Sequence, residues 1–506
     1  MEDAGGSLGH PASRAAQRAA LRVAQEAAAH VPAYGRFLRR AGYDADRLRT
    51  FADFCQLPTM DKASYLQRYS LGERCRQADL TRAYITVASS GTSGGATLWP
   101  RYPEQEPATI AGVRTLLQEH FRILDLATLV VIAAATGPWA YATGMTLATQ
   151  RIFAEPGVCG TVVTPGLNQD ETLRFIAELG PHYDQVLLVS YPALVPSLLE
   201  AGSRRGIDWP SLAVSVLTMG EGATEAQREA ILRQLGADAG SLRGFVNAFS
   251  ATEAAGVIGY ESRLCLLLRR LCIEQPALAK ALFGTPILPS INQYNPLGYF
   301  LETSGDEVLL TMRGAVPLIR YNTHDRGGLL SFAEVITICR AHGYDLQEEW
   351  RQRQGGPVTM RPAPFFYVHG RSDAVILHGG NVYLDEIAHV LEQPPLGASN
   401  TGHFEVSQAA SADGQVTLRL VVELREGISP GEGLSTQYER DFLAGLRSVS
   451  PRFQAAYDAS QGRAKVVVTL VPHGRMAGSG PKRRRVVLPH DSASTDNPAS
   501  ANADHD

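Results

Sequence analysis

Short apolar runs alternate with amphipathic stretches after about residue 82. Each run ends in glycine or polar residues, and a helix-like pattern separates it from the next run. Runs of this kind are typical of buried parallel strands, and the helices between them cover the sheet. The pattern therefore predicts an α/β region. Its predicted strands are 83–88, 127–135, 161–163, 185–190 and 213–218, and its predicted helices are 169–179, 193–201 and 224–235.

The chain before this region has a helical pattern. An alanine-rich stretch at 13–29 indicates an amphipathic helix, which Val31-Pro32 ends. A second short helix is expected at 34–41, and Asp61 is a suitable N-cap for a further helical turn. Residues 1–12 lack such a pattern and are expected to be a loose leader.

The second half of the chain is richer in predicted strands. Strands at 307–311 and 316–321 are expected to belong to a smaller, more antiparallel unit. The turn-rich sequence Gly-Arg-Ser-Asp at 370–373 then separates two compositional regimes. Beyond it we expect strands at 403–407, 417–424 and 465–470 and a helix at 437–448.

These patterns predict the domain organisation. The fold class is α/β, with a large N-terminal domain of helix-covered sheets plus a small β-region, and a small mobile α+β C-terminal domain. The expected bounds are 13–370 for the first domain and 371–488 for the second, followed by a disordered acidic tail at 489–506.

Composition excludes several classes of protein. Of 506 residues, 44% are hydrophobic and 19% are charged, which is ordinary for a globular chain. The net charge of −4 leaves no basic excess for binding nucleic acid or an anionic membrane. The most apolar run, at 126–135, is shorter than the roughly 20 residues that cross a bilayer. Six dispersed cysteines without a C-x-x-C pair favour a reduced, cytoplasmic protein.

A loop rich in glycine and hydroxyl residues follows the strand at 83–88. It reads SSGTSGGAT and contains the hydroxyl donors Ser89, Ser90, Thr92 and Ser93. Glycines allow tight turns that present backbone N–H groups, so the loop could wrap a polyphosphate. It lacks the Gly-Lys-Ser/Thr of a Walker A loop. Taken alone, it is equally well explained as a flexible turn.

The sequence FSATE ends at Glu253 after another strand-like stretch. Phe249 could stack on a base, and Thr252 could donate to a phosphate. Glu253 could hold Mg²⁺, a hard cation that prefers oxygen ligands. Taken alone, a helix N-terminus capped by Ser250 or Thr252 explains this sequence better.

Three further motifs carry weaker signals. In RYNTHDR, Asp325 could accept hydrogen bonds from ribose hydroxyls, unless the motif is a surface turn. In GRSD, Arg371 could reach a ribose or a phosphate, unless the motif is only a β-turn with an Arg–Asp pair. In PKRRRVV, Lys482 is one of four lysines among 47 basic residues, although basic runs are usually solvated loops.

In this order and spacing, the five motifs resemble those of the adenylate-forming superfamily of acyl-CoA ligases and adenylation domains. Within it, the chain is most similar to the phenylacetate-CoA ligase family. The resemblance covers about residues 13–488. It includes HVPAYGRFLRRAGYDADRL, FCQLPTMDKASYL, SYPALVPSLLE and GEGATEAQRE.

The resemblance implies a set of nucleotide-binding residues. They are Ser89, Ser90, Gly91, Thr92, Ser93, Gly94, Glu221, Phe249, Asp325 and Arg371. The loop would cradle the β- and γ-phosphates of ATP. Glu221 would lie beside the adenine and the acyl pocket, and Phe249 would pack on the adenine. Asp325 would bind the ribose hydroxyls, assisted by Arg371.

The resemblance also implies catalytic residues. Thr252 would contact the α-phosphate, Glu253 would bind Mg²⁺, and Lys482 would be the catalytic lysine, carried on a mobile domain that closes over the site. Asp373 would lie at the hinge. Position along the fold suggests four walls of the substrate pocket, Trp139, Tyr141, Tyr191 and Phe245.

Three departures mark the chain as a divergent member. The family's phosphate loop continues with Gly-Lys-Pro, whereas residues 94–96 are Gly-Gly-Ala. Ser250 stands where glycine is usual. Asn322 and His324 stand where this family commonly has arginines.

The implied function is ATP-dependent activation of a carboxylic acid, expected to be aromatic. The acyl-adenylate would form with release of pyrophosphate, and the acyl group would pass to CoA, a carrier thiol or an amine. ATP and Mg²⁺ are the expected cofactors, and homodimerisation stays open. The alternative is a non-catalytic nucleotide- or acyl-adenylate-binding protein of a biosynthetic pathway. The loop departures permit this alternative, and the retention of Lys482 argues against it.

Overall fold

The computed structural model describes residues 13–89, 97–192, 194–220, 222–223, 225–238, 241–254, 256–284, 288–354, 360–371, 374–377, 380–410, 416–450, 453–454, 457–458, 465–476 and 484–486. The described residues up to Gly370 form one compact unit, and those from Arg371 onward form a second. The described residues contain no helix that could span a bilayer.

The helices begin with α1, whose N-cap Ser13 accepts from the backbone of Ala16 and whose buried stripe consists of small alanines. The π-helix Lys62–Leu66 follows the predicted cap Asp61. The α-helices are α1 Arg14–His30, α2 Pro32–Arg40, α3 Phe51–Cys55, α4 Leu71–Arg74, α5 Glu106–Phe121, α6 Ala140–Phe153, α7 Gln169–Leu179, α8 Val195–Arg204, α9 Glu225–Gln234, α10 Arg263–Glu274, α11 Pro276–Phe283, α12 Phe332–Ala341, α13 Leu346–Gln354, α14 Leu384–Glu392 and α15 Glu432–Val449.

The strands of the first unit form a two-stranded and a large sheet. The two-stranded sheet is β1 Ile85–Ser89 with β2 Thr97–Arg101. The large sheet consists of β3 Thr128–Ala133, β4 Gly160–Val163, β5 Gln185–Ser190, β6 Val214–Met219, β7 Phe245–Ala251, β8 Gly256–Tyr260, β9 Ser290–Tyr294, β10 Tyr299–Ser304, β11 Glu307–Met312, β12 Leu318–Leu330 and β13 Phe365–Arg371.

The large sheet has eleven strands in the order β10-β11-β12-β13-β9-β8-β7-β6-β5-β3-β4. Strands β3 to β7 are parallel, as predicted, and β7 and β8 begin an antiparallel part. Among the strands after residue 285, the pairs β10–β11, β11–β12, β13–β9 and β8–β9 are antiparallel, yet these strands continue the large sheet instead of forming a unit of their own. Their link is β13, which pairs with β9 and follows β12 in the order.

The second unit has its own core. Its four-stranded sheet has the order β18-β17-β16-β19, built from β16 Asn400–Ala410, β17 Val416–Leu424, β18 Lys465–Val471 and β19 Arg484–Val486. A separate hairpin joins β14 Ala374–Leu377 to β15 Gly380–Tyr383. Helices α14 and α15 contribute Ile387 and Phe442 to the apolar cluster that also contains Phe404.

Candidate active site

Several candidate residues follow the carboxyl ends of the parallel strands. Tyr191 follows β5, Gly220 follows β6, and Thr252 follows β7. Because β5, β6 and β7 are parallel, their carboxyl ends lie at the same edge of the sheet. Ligands of open α/β sheets bind at this edge, so the site is assembled from residues that follow different strands.

Two predicted pocket tyrosines pack together at this edge. The rings of Tyr141 and Tyr191 are 5.8 Å apart between centroids in an edge-to-face arrangement. The Tyr141 hydroxyl donates to the carbonyl of Ser190 at 3.2 Å. Burial is the main cause that raises the pKa of Tyr141 well above its ordinary value, and the neighbouring Tyr191 raises it further. The hydroxyl therefore stays protonated. Gly220 has φ +95°, and a Cβ there would lie 3.3 Å from the Tyr191 ring.

The strand that leads into the glycine-serine loop lies beside the same group. Ala88 forms an isolated β-bridge with Trp139, two residues before Tyr141. Ser89 ends β1 and pairs with Thr97. The loop residues Ser90, Gly91, Thr92, Ser93 and Gly94 lie outside the described residues. The base of the predicted phosphate loop is therefore fixed next to the predicted pocket residue Trp139.

Phe249 is held by aromatic packing. Its half-buried ring contacts Phe366 edge-to-face, with 5.2 Å between centroids. Gly259 lies opposite Phe249 in the β7–β8 ladder, and a Cβ there would lie 2.5 Å from the Phe366 ring. A glycine at this position therefore makes room for the ring that supports Phe249.

Thr252 and Glu253 lie in the turn between antiparallel strands β7 and β8. The ladder ends with the pair Ala251 and Gly256, so the alternative of a helix N-terminus is wrong. Both side chains are half-buried. Within the described part of the chain, the Glu253 carboxylate has no hydrogen-bond or ion-pair partner. Its oxygens are therefore available to a hard cation such as Mg²⁺.

Asp325 lies in a bulge of β12, not in a surface turn. The register shifts so that residues 323–325 face only Val308 on β11. His324 has a left-handed conformation, with φ +57°, and Asp325 is 7% exposed. Bulges bend a strand and re-aim its side chains next to functional sites. This bulge lies at Asp325, the residue predicted to bind the ribose hydroxyls.

The N-terminal segment docks onto the same strand, which the sequence patterns did not predict. The backbone of Met60 donates to the carbonyl of Arg320 at 3.2 Å and accepts from Asn322 at 2.7 Å. The His324 ring lies between two carboxylates, 3.8 Å from Asp61 and 3.5 Å from Glu307. The segment thereby fixes the bulge that contains Asp325.

Phe245 lies away from this edge. It begins β7, at the opposite end of the strand from Thr252, and it is fully buried. The guanidinium of Arg228 covers its ring at 4.7 Å from the centroid. Because no surface of Phe245 is open to a ligand, we leave it out of the proposed pocket.

A buried ion-pair network supports β7, and sequence reasoning missed it. Glu225 lies 3.2 Å from both Arg228 and Arg269, and Glu261 pairs with both arginines. Burial alone would raise the pKa of Glu225, but Arg228 and Arg269 bring it below its ordinary value. Glu261 also accepts from the backbone of Asn247 at 3.0 Å. No spacing in the sequence distinguishes these residues from surface charges.

Four further predicted residues have side chains that the structure does not describe. Arg371 is the last residue of β13, and its side chain is not described. Glu221, Asp373 and Lys482 lie outside the described residues. Among the residues that the structure does describe, no group of three or more His, Cys, Asp or Glu side chains could hold a metal ion.

Comparison with solved structures gives high-coverage matches to one enzyme. The crystal structure of 2-hydroxyisobutyryl-CoA ligase with 2-HIB-AMP and CoA, in the thioesterification state, matches with a TM-score of 0.59 and 16% identity, over 94% of this chain and 89% of that chain. The same ligase in the postadenylation state matches with TM-scores of 0.52 with 2-HIB-AMP and 0.51 with R3-HIB-AMP, each with 15% identity and the same coverage.

No protein-family model matches the chain, and no curated protein does. The fold likeness confirms the predicted α/β class, whereas the resemblance to the adenylate-forming superfamily, and within it to phenylacetate-CoA ligases, stays a prediction. The chain therefore shares the fold of 2-hydroxyisobutyryl-CoA ligase over nearly its whole length.

Proposed function

We propose that the protein activates a carboxylic acid with ATP and then transfers the acyl group to CoA or another acceptor. The carboxylate attacks the α-phosphorus, the bond to the pyrophosphate oxygen breaks, and an acyl-adenylate forms. In the second step a thiol or an amine attacks the acyl carbon, and AMP leaves.

The observation that carries this proposal is the arrangement at the carboxyl edge of the sheet. Tyr191 follows β5 and the Thr252 turn follows β7 in the same sheet. The predicted pocket residue Trp139 forms a β-bridge with Ala88, next to Ser89 at the base of the loop. From the sequence, Tyr191 and Trp139 are assigned to the substrate pocket by their position along the fold, Thr252 to the α-phosphate and the Ser89 loop to the polyphosphate. The fold likeness to a ligase crystallised with an acyl-AMP and CoA supports the same reaction.

The chemistry needs positive charge and hydrogen-bond donors around the α-phosphate and the leaving pyrophosphate. The Thr252 hydroxyl donates to the α-phosphate, and the backbone and hydroxyls of residues 89–94 hold the leaving group. Lys482 stabilises the charge that develops at phosphorus. With Gly95 in place of the usual phosphate-loop lysine, no loop lysine shares this work.

Glu253 is the residue that would hold Mg²⁺. Its carboxylate is free of protein partners within the described part of the chain, which fits a ligand of a hard cation. When bound with ATP, Mg²⁺ neutralises charge on the phosphate oxygens.

The proposed substrate is an aromatic acid. The edge-to-face pair of Tyr141 and Tyr191 offers ring surface at the carboxyl edge, and aromatic rings gain from such packing. The ligase with the similar fold was crystallised with 2-HIB-AMP, and a 2-hydroxyisobutyryl group is branched and aliphatic. A tyrosine-lined pocket would favour a flat substrate over this branched one.

The test is ATP–pyrophosphate exchange with a panel of acids. Benzoate, 2-aminobenzoate and phenylacetate are compared with 2-hydroxyisobutyrate and with a reaction that contains no acid. We expect acid-dependent exchange that is fastest with an aromatic acid. Exchange only with 2-hydroxyisobutyrate would reject the aromatic substrate and keep the reaction class.

The alternative is a protein that binds nucleotide or acyl-adenylate without catalysis. It predicts ATP binding in calorimetry together with no exchange for any acid in the panel. That pair of results would overturn the proposed reaction.

A further inference from the structure

Two polar side chains of β12 attach the bulge that contains Asp325 to one carboxylate of β11. Nδ2 of Asn322 donates to Oε2 of Glu307 at 2.6 Å, and Oδ1 of the same amide accepts from the backbone N–H of His324 at 2.8 Å. Nδ1 of the His324 ring faces the other oxygen of Glu307 at 3.5 Å. We call these three residues, Asn322, His324 and Glu307, the clasp.

The backbone of Asp325 is tied to β11 next to the clasp. Its N–H donates to Oγ1 of Thr323 at 3.3 Å, and the Thr323 hydroxyl donates to the carbonyl of Val308 at 3.0 Å. Only 7% of Asp325 is exposed. A small displacement of this backbone would therefore change how much of the carboxylate a ligand can reach.

His324 has a backbone conformation that few side chains adopt. Its φ of +57° lies in the left-handed region, which is unfavourable for a residue with a Cβ. Such residues persist where the surrounding contacts over-determine them. The contacts here are those of the clasp and, from the N-terminal segment, Asp61, whose Oδ2 lies 3.8 Å from Nε2 of the ring. The clasp thereby stabilises the direction in which the chain enters Asp325.

We propose that the clasp positions Asp325 for the ribose hydroxyls of ATP and so sets the preference of the site for ribonucleotides over deoxynucleotides. This inference rests on the proposed function and on the expected contact between Asp325 and the ribose. A carboxylate that is held in place before the nucleotide arrives loses less conformational freedom on binding. Its hydrogen bond to a hydroxyl also depends steeply on direction. The clasp side chains act on the nucleotide only through Asp325.

The first test measures nucleotide binding and does not depend on catalysis. Calorimetry of the full-length protein with Mg²⁺ compares ATP with 2′-deoxy-ATP and 3′-deoxy-ATP. Wild type should bind ATP roughly tenfold more tightly than at least one analogue, as expected when a hydrogen bond to a charged group is lost. His324→Gly removes the ring but suits the left-handed backbone, and it should lower this ratio to below about threefold. A ratio that stays at the wild-type value would overturn the proposal.

Arg122→Gly is the matched control. Arg122 also has a left-handed conformation, with φ +51°, and its side chain pairs with Asp125 on the surface. The variant should leave the ratio of affinities unchanged. A fall like that in His324→Gly would show that loss of a left-handed residue anywhere has this effect, and it would overturn the proposal.

Asn322→Ala protects the test against a His324 variant that disturbs the fold. It keeps the ring of His324 and removes the amide between the His324 backbone and Glu307. The ratio should fall in the same direction as in His324→Gly. If either variant instead weakens the binding of all three nucleotides by the same factor, the role of the clasp is generally structural and the proposal is overturned.

The second test asks whether the clasp acts through Asp325. Asp325→Ala should abolish the preference for ATP by itself. In this background His324→Gly should weaken ATP binding by less than about twofold, because the carboxylate that the clasp positions is already absent. Equal weakening with and without Asp325 would overturn the proposal.

Pyrophosphate exchange separates this inference from the proposed function. Exchange in wild type, together with an unchanged ratio in His324→Gly, keeps the function and overturns the role of the clasp. No exchange in wild type, together with a lower ratio in the variants, overturns the reaction and keeps the role of the clasp. A wild type that binds all three nucleotides equally, or none of them, overturns the role of the clasp whatever the exchange shows.

Discussion

In the proposed adenylation step, Lys482 is the residue assigned to supply a permanent positive charge at the phosphate. Lys482→Ala should lower adenylation by roughly two to three orders of magnitude, the loss typical of one preorganised donor. ATP affinity, measured by calorimetry, should change little. Transfer from a pre-made acyl-adenylate should largely survive, because the bond to phosphorus has already formed.

Lys465→Ala is the control for this substitution, since Lys465 is an exposed lysine at the start of β18 in the same unit. It should adenylate at the wild-type rate. A wild-type rate in Lys482→Ala as well would make the basic run a solvated loop and would favour the binding-protein alternative.

The proposed role of Glu253 is to make ATP binding depend on Mg²⁺. Glu253→Gln removes the negative charge but keeps the shape, so the gain in ATP affinity on adding Mg²⁺ should shrink. Isothermal titration with and without Mg²⁺ measures this gain, and Glu348→Gln at an exposed position of α13 should leave it unchanged. Wild-type ATP affinity that is the same with and without Mg²⁺ would contradict the role of Glu253.

His120 should make the first unit sensitive to acid. Its side chain is fully buried at the end of α5. Burial is the main cause that lowers its pKa well below the ordinary value, and the positive charge of Arg263 lowers it further. The unfolded chain then binds a proton that the folded chain does not, so stability is complete above about pH 6.5 and falls as the pH drops below it.

The expected loss is about 1 kcal/mol between pH 6.5 and 5.5, since one pKa unit corresponds to about 1.4 kcal/mol. Urea unfolding at both pH values measures it. His120→Leu replaces the histidine with an apolar side chain that does not titrate. The free energy of unfolding should then change by about 1 kcal/mol less between the two pH values. An unchanged pH dependence would show that other groups are responsible.

Single residues differ in how far the sequence reveals them. Asp325 and Glu253 were placed by their motifs, but neither motif predicted a bulge or a turn between antiparallel strands. Phe245 was assigned to the pocket by its position along the chain, yet alternation in a strand buried on both faces does not say which end of the strand meets the ligand. The covering Arg228 comes from another element, which no local pattern identifies.

Elements with a clean apolar pattern were predicted well. Helix α7 and strand β5 have the predicted bounds, because Asn168 caps the helix and the strand has four apolar residues, 186–189, between Gln185 and Ser190. The pattern also predicted the strands β11 and β12, but it did not predict their neighbours. Strand pairing depends on backbone partners far along the chain, so periodicity alone cannot supply it.

Strand β7 depends on the ion-pair network beneath it. Glu261→Ala would leave Arg228 and Arg269 with one fewer buried partner and the backbone of Asn247 without its acceptor. We expect a loss of roughly 3–5 kcal/mol, the cost of breaking a buried pair from one side. Thermal and urea unfolding measure this loss.

Glu229→Ala is the control on α9, because Glu229 pairs with Arg233 on the helix surface at 3.5 Å. Such a pair contributes under about 1 kcal/mol. Similar losses in the two variants would show that the buried network adds no more than a surface pair does.

At the scale of the whole molecule, the sequence predicts a domain boundary at residues 370–373. The described residues up to Gly370 and those from Arg371 onward form two compact units, and the turn-rich sequence at 370–373 is a suitable site for a protease. Limited thermolysin digestion of the native protein should give a large fragment that ends near 371 and a small fragment that begins there. Cuts only at other positions would count against a boundary at this place.

The position of β13 has a consequence for the order in which the chain can be completed on the ribosome. Strand β13 lies between β9 and β12, and a Cβ at Gly327 would clash with the Tyr367 carbonyl at 1.9 Å, so β12 and β13 approach closely. The part of the sheet that contains the Thr252 turn can form during synthesis. The part that contains Asp325 cannot join it until residues 365–371 have emerged. A nascent chain released before then would expose two unpaired strand edges, so translational pausing inside this interval should promote aggregation.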